Sequence, residues 1–221
     1  MSLEEEMLTS VQKGDLARVQ ELLRTKPELA GATNADGISA VLLAYYYRQK
    51  EIIEALLATG IELNVFEASA TGQGERVAAL LEKDPGLANA FARDGFTPLG
   101  LAAFFGHGSV AETLLRHGAS VNLAARNSVQ VMPLHSAAAG RDLAMVRLLI
   151  DHGAEVNARQ QAGATALHSA AASGKVDIAA VLIAHGADVN AKMEDGVTPR
   201  ALAVKHNHAE MAEFLRTHGA S

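Results

Sequence analysis

The chain has 221 residues and a net charge of −6, with 49% apolar residues, 4% aromatics and no cysteine. Those values exclude disulfides and thiol chemistry, and no run of 18 apolar residues is present to suggest a membrane span. The acids lie mainly in the first half and no basic stripe appears, so binding driven by nucleic-acid phosphates is not expected.

The start, "MSLEEEM", is acidic where a signal peptide would be basic and then apolar. Together with the absence of cysteine this gives the expectation of a cytoplasmic protein. Ser2 and Glu5 have the spacing of a capping box, with Glu4 to Glu6 in a first turn that favours negative charge. Residues 2–33 then read as two helices around Gly14, ending at Pro27. Residues 34–64, "NADGISAVLLAYYYRQKEIIEALLATGIELN", form a second helix pair behind an Asp36-Gly37 turn.

The third pair, 65–90, has no such turn, because Asn64 runs almost directly into the helix near Val65. Sliding the chain by 58 residues explains why. Positions 9–64 then match 67–122 at 18 of 56 residues, pairing Gly14 with Gly72, Pro27 with Pro85 and Asp36-Gly37 with Asp94-Gly95. The first 122 residues thus read as a doubled two-repeat unit, in which the 91–124 pair is the counterpart of 34–64.

From there the period is 33. "PLHSAAAGRDLAMVRLLIDHGAEVN" (133–157) returns as "ALHSAAASGKVDIAAVLIAHGADVN" (166–190), with 13 of 25 positions identical, and 198–220 is a weaker copy. Each copy reads as a short helix, a left-handed turn residue (Gly106, Gly174, Asn207), a second helix and a loop. Pro98, Pro133 and Pro199 fall at a first helical position, where a missing N–H is tolerated. First helices of seven or eight residues are unstable alone, so the units must stack. The predicted units are 2–33, 34–64, 65–90, 91–124, 125–158, 159–191 and 192–221, within one domain. In the last unit Arg200 and Arg216 replace core residues such as Leu99 and Leu115, so no eighth unit is expected to stack and the array is expected to be complete.

The stretches Asp94-Gly95-Phe96-Thr97-Pro98-Leu99, Met132-Pro133-Leu134-His135-Ser136-Ala137-Ala138 and Thr165-Ala166-Leu167-His168-Ser169-Ala170-Ala171 resemble the ankyrin-repeat signature Asp-Gly-X-Thr-Pro-Leu-His-X-Ala-Ala. The resemblance is clearest over 94–221. It implies an all-α solenoid of seven ankyrin-like repeats in a free-standing array, with helix-turn-helix units and short β-hairpin fingers. It also implies that His135 and His168 tie neighbouring loops together. Members of such a family act as protein-binding scaffolds, adaptors or inhibitors, so a protein or peptide partner is expected and the chain is expected to be a monomer.

Nine histidines invite a metal reading, but His117, His152, His185 and His218 recur one per repeat, about 10 Å apart for stacked helices. Metal ligands must converge within a few ångströms, so no metal or other cofactor is expected. No nucleophile elbow, zinc-protease motif or phosphate loop occurs, and the chain is not expected to be an enzyme.

Partner contacts are expected at the variable positions after the paired small residues of each first helix, and at the turn tips. Eight of nine aromatics lie between residues 45 and 105. The 58-residue register pairs Tyr46 with Phe104 and Tyr47 with Phe105, which makes these four the leading candidates. Phe96 and Ile38 take the equivalent turn-tip positions. Tyr45 takes an alanine slot and is expected to wedge into the stack. Because the third unit lacks a turn, the four aromatics are expected to wall a notch there. That notch would take an apolar peptide segment or, as the alternative, a small ligand sensed there.

Overall fold

A computed structural model describes residues 2–221. Among them, fourteen α-helices pair off as seven antiparallel units, repeats 1 to 7 in chain order. The first helices are α1 (Leu3–Lys13), α3 (Ala40–Tyr46), α5 (Val65–Ala70), α7 (Pro98–Phe105), α9 (Pro133–Gly140), α11 (Ala166–Ala172) and α13 (Pro199–Lys205). Their partners are α2 (Leu16–Thr25), α4 (Lys50–Leu57), α6 (Gly74–Lys83), α8 (Gly108–Arg116), α10 (Leu143–Asp151), α12 (Val176–Ala184) and α14 (Ala209–Thr217). None of the described helices is long and apolar enough to cross a membrane.

The expected punctuation is present. The Ser2–Glu5 capping box opens α1, and Asn64 with Glu67 makes a second box that opens α5 with no turn before it. Each helix pair is joined through one left-handed residue: Gly14, Arg48, Gly72, Gly106, Arg141, Gly174 and Asn207. Where that residue is Gly72 or Gly174, the ring of His107 or His208 from the next repeat lies over it. A Cβ at either glycine would meet a ring nitrogen at 2.7 Å. Only glycine combines the positive φ with that close approach.

One core runs the length of the stack, built from small residues on the first helices and leucine, isoleucine, valine or methionine on the second. Two polar devices reinforce it. Asn89, Asn122, Asn157 and Asn190 each donate to a carbonyl of the next repeat, at Gly118, Gly153, Gly186 and Gly219, over 2.8–3.1 Å. Each also accepts an N–H from that repeat, at Ser120, Glu155, Asp188 and Ser221. His117, His152, His185 and His218 each turn Nδ1 back onto a carbonyl in the last turn of their own helix, at 2.8 Å.

The loops before α3, α7, α9, α11 and α13 project as fingers (32–39, 90–97, 123–132, 158–165 and 191–198). Arg126 N donates to Gly95 O, Gln161 N to Val129 O and Glu194 N to Ala162 O, which links the last four fingers into a row. Repeat 3 contributes no finger. There the Arg93 side chain of one flanking finger lies directly over Gly37 of the other.

Arg200 is half-buried with its Nε lacking a partner, while Arg216 is exposed and paired with Glu213 at 2.7 Å.

Candidate functional site

The α5 helix has only six residues and offers Ala68, Ser69 and Ala70 to its neighbours. Larger side chains from both flanking repeats fill the space it leaves. From α3, Tyr45 meets Phe105 edge-on at 5.2 Å and Tyr46 stacks on the same ring at 6.1 Å. Tyr46 also approaches Phe96 at 6.4 Å, and Phe104 meets Phe105 edge-on at 5.1 Å. Beneath them Leu42, Ala70 and Leu101 form a small second core that also supports Ile38 and Phe66.

This corrects the expected notch. Tyr46 and Phe105 do not stand apart as its walls but touch across the short repeat, because the Ala68-Ser69-Ala70 end of α5 presents nothing large enough to separate them. Tyr46 is fixed further by its phenol, which donates to Asp94 Oδ2 at 2.7 Å. Burial, and then the Asp94 carboxylate, push that phenol far above its ordinary pKa, so it remains a neutral donor. Tyr47 is 52% exposed and borders none of the cavities described below. Tyr45 packs on the main core, as its alanine slot suggested.

The open space lies one repeat further on. Between α7, α9 and the fingers is a cavity of about 420 Å³. Tyr46, Phe96, Leu101 and Phe104 form one wall. Val129 and Val131 of the next finger face them, with Ser136 and Ala139 of α9 below. Gly140 lets the C-terminal end of α9 close against α7, since a Cβ there would lie 2.5 Å from Phe104 O. The small residues Gly100, Ser136 and Ala139 then leave the void. Phe104 and Val129 at its edges are 38% and 43% exposed, which is unusual for residues of this size. On the other side of the aromatic cluster a more open depression of about 580 Å³ is bordered by Arg48, Lys50 and Glu54.

His135 also borders the cavity. Its Nε2 donates to Ala158 O at 3.1 Å, which leaves Nδ1 as a bare acceptor, and that nitrogen is buried without a partner. One repeat later the same imidazole is satisfied. His168 Nδ1 accepts from both the N–H and the hydroxyl of Thr165, and Nε2 donates to Val197 O. Repeat 5 has Met132 at the threonine position and so no hydroxyl to offer. Burial, acting against these backbone bonds, holds both imidazoles below their ordinary pKa.

A signal absent from the sequence reading lies along the fingers. Arg93, Arg126, Arg159 and Lys192 recur at 33-residue intervals, one per finger, and all four are exposed. None belongs to an ion pair found among the described residues. Arg126 sits 4.0 Å over the Phe91 ring and Arg159 Nη1 donates to Lys192 O at 2.7 Å. The 33-residue spacing could have revealed this row, since it leaves one basic residue on each finger. A third recess, of about 420 Å³, lies at the missing finger and is bordered by Thr33, Asn64, Phe66, Glu67, Phe91 and Arg93.

Paired helices stacked in register, left-handed turn residues and a row of fingers define a helical repeat solenoid with an apolar recess between its first helices and its fingers. A family profile described as "Ankyrin repeats (3 copies)" matches residues 7–125, 65–160 and 134–221. The chain belongs to the ankyrin-repeat family. It is similar to the protein named "Putative ankyrin repeat protein YahD" of Escherichia coli (strain K12), with 30% identity over 178 residues that cover 74% of this chain and 87% of the relative. Ankyrin repeats generally mediate protein–protein interaction.

Proposed function

We propose that this protein is a non-catalytic recognition module that binds a protein partner on its concave face. An apolar side chain of the partner seats in the cavity between α7 and α9. The cavity itself carries this reading, because it is lined by apolar groups, opens to the surface and is bordered by exposed aromatic and aliphatic residues. Phe104, Phe96 and Tyr46 form its wall, while Phe105 and Ile38 support that wall from behind. Tyr47 belongs to the proposed surface only as an exposed neighbour. The module acts as a cytoplasmic monomer in this reading, as scaffold, adaptor or inhibitor.

Two variants test it. Ala139→Leu fills the cavity from an exposed position, and Phe104→Ala removes its wall. Partner capture from native lysate should fail with Ala139→Leu while circular dichroism stays unchanged. Hydrogen exchange of the captured complex should show protection in α7, α9 and residues 123–132. Protection elsewhere with these segments unchanged would place the partner on another surface.

The recess at the missing finger supports a second reading, a small-ligand sensor. Its border mixes Arg93 with Glu67, Asn64 and two phenylalanines, which suits a polar ligand with an aromatic or aliphatic part. Ligand released on denaturing the purified protein, and lost in an Arg93→Ala variant, would favour it.

A further inference from the structure

The charges on the fingers that contribute to the cavity wall differ in sign from the protein as a whole. The chain carries −6, yet the three fingers of repeats 4 to 6 hold Arg93, Arg126 and Arg159 against one carboxylate, Asp94. Asp94 is already engaged, accepting from the Tyr46 phenol and from Phe96 N. The same three fingers supply Phe96, Val129, Val131 and Gln160 to the cavity wall. A guanidinium has five N–H donors. Arg159 uses only Nη1 in hydrogen bonds within the chain, and Arg126 sits over the Phe91 ring without a carboxylate partner.

We infer that the partner segment is acidic: an extended peptide whose apolar anchor enters the α7–α9 cavity while its carboxylates face Arg93, Arg126 and Arg159. The inference rests on the proposed concave-face recognition and adds the chemistry of what is recognised. Stacked repeats place successive fingers, each with one arginine, about 10 Å apart. A polyproline-II segment advances about 3.1 Å per residue with three residues per turn, so every third side chain meets the same edge at nearly that spacing. The recognised pattern is therefore an acidic residue at every third position, with one large apolar residue between two of them. A single-stranded nucleic acid also carries regularly spaced anionic groups, but the mainly apolar cavity favours a side chain over a base with its polar edge.

The test uses the full chain and fluorescence anisotropy with a labelled peptide of about twelve residues, bearing glutamate at every third position and one central phenylalanine. Its controls are the same peptide with glutamine for glutamate, the same peptide with serine for phenylalanine, and a single-stranded oligonucleotide of similar length. The glutamate peptide should bind, and its affinity should fall as salt rises from about 50 to 300 mM. Replacing its glutamates should weaken binding about tenfold, as should Arg126→Gln with Arg159→Gln in the protein. Ala139→Leu and the serine peptide should each abolish binding. Equal affinity for the glutamine peptide, or none lost in the double arginine variant, overturns the acidic inference. Sensitivity to Ala139→Leu in that case leaves concave-face recognition standing. No binding of the glutamate peptide, or tighter binding of the oligonucleotide, also overturns it.

Discussion

The Tyr46 phenol and the Asp94 carboxylate meet at 2.7 Å although a whole repeat lies between them in the chain. The contact is possible because that repeat sends out no finger and its first helix is six residues long. Tyr46→Phe keeps the ring stack and removes only the donor, so it should lower stability by about 1 kcal/mol. A double-mutant cycle with Asp94→Asn, read by urea unfolding, should show a coupling above about 0.5 kcal/mol. Additive single effects would mean that the bond contributes nothing.

His135 Nδ1 is buried and unpartnered where His168 Nδ1 has the Thr165 hydroxyl. Met132→Thr should supply the missing donor and a helix N-cap together, and raise stability by about 1 kcal/mol. The urea midpoint reports it, and a lowered midpoint would show that Met132 packing outweighs the new bonds.

The asparagine ladder begins at Asn89, and the 58-residue register places Gly31 at the position of a preceding rung. Gly31 has ordinary φ, and its nearest obstacle to a Cβ is Ile61 Cδ1 at 3.6 Å. Gly31→Asn should therefore reach Gly60 O and Glu62 N and stabilise by about 0.5–1 kcal/mol. The converse change, Asn157→Ala, should cost about 1–2 kcal/mol. Thermal unfolding of both variants checks the pair, and a loss in Gly31→Asn would contradict the extension.

Both buried imidazoles have folded pKa values below the unfolded value of about 6.5. Between the two values the unfolded chain binds protons that the folded chain does not, so stability rises with pH there. The contribution is complete above the unfolded value and is lost as pH falls from it to the depressed one. Urea midpoints should drop as pH falls below the unfolded value of about 6.5, and His135→Gln should flatten that slope. An unchanged slope would assign the acid sensitivity to other groups.

Much of this arrangement is legible in the sequence because it is local and periodic. The Ser2 box, the Asn64 helix start and the left-handed Gly106, Gly174 and Asn207 follow from residue type and spacing. The doubled register located the aromatic pairs and the shortened repeat. It could not show that Tyr46 and Phe105 touch, because that depends on how far apart α5 holds its neighbours. Nor could it place the void between α7 and α9, which the small residues Gly100, Ser136 and Ala139 leave once Gly140 has set the approach of the two helices. Arg48 and Arg141 hold the left-handed turn positions without glycine, where stacking overrides the local preference.

In a solenoid whose repeats touch only their neighbours, stability is a sum of nearest-neighbour links, and the array can unzip one unit at a time. The aromatic contacts and the Tyr46–Asp94 bond add a link between second neighbours. Repeat 3 is enclosed by that link, so it cannot open while repeats 2 and 4 stay joined above it. Fraying that starts at the N-terminus meets a cooperative block at repeat 2. The smallest repeat of the array, with least of its own to hold it, is kept folded by the pair around it.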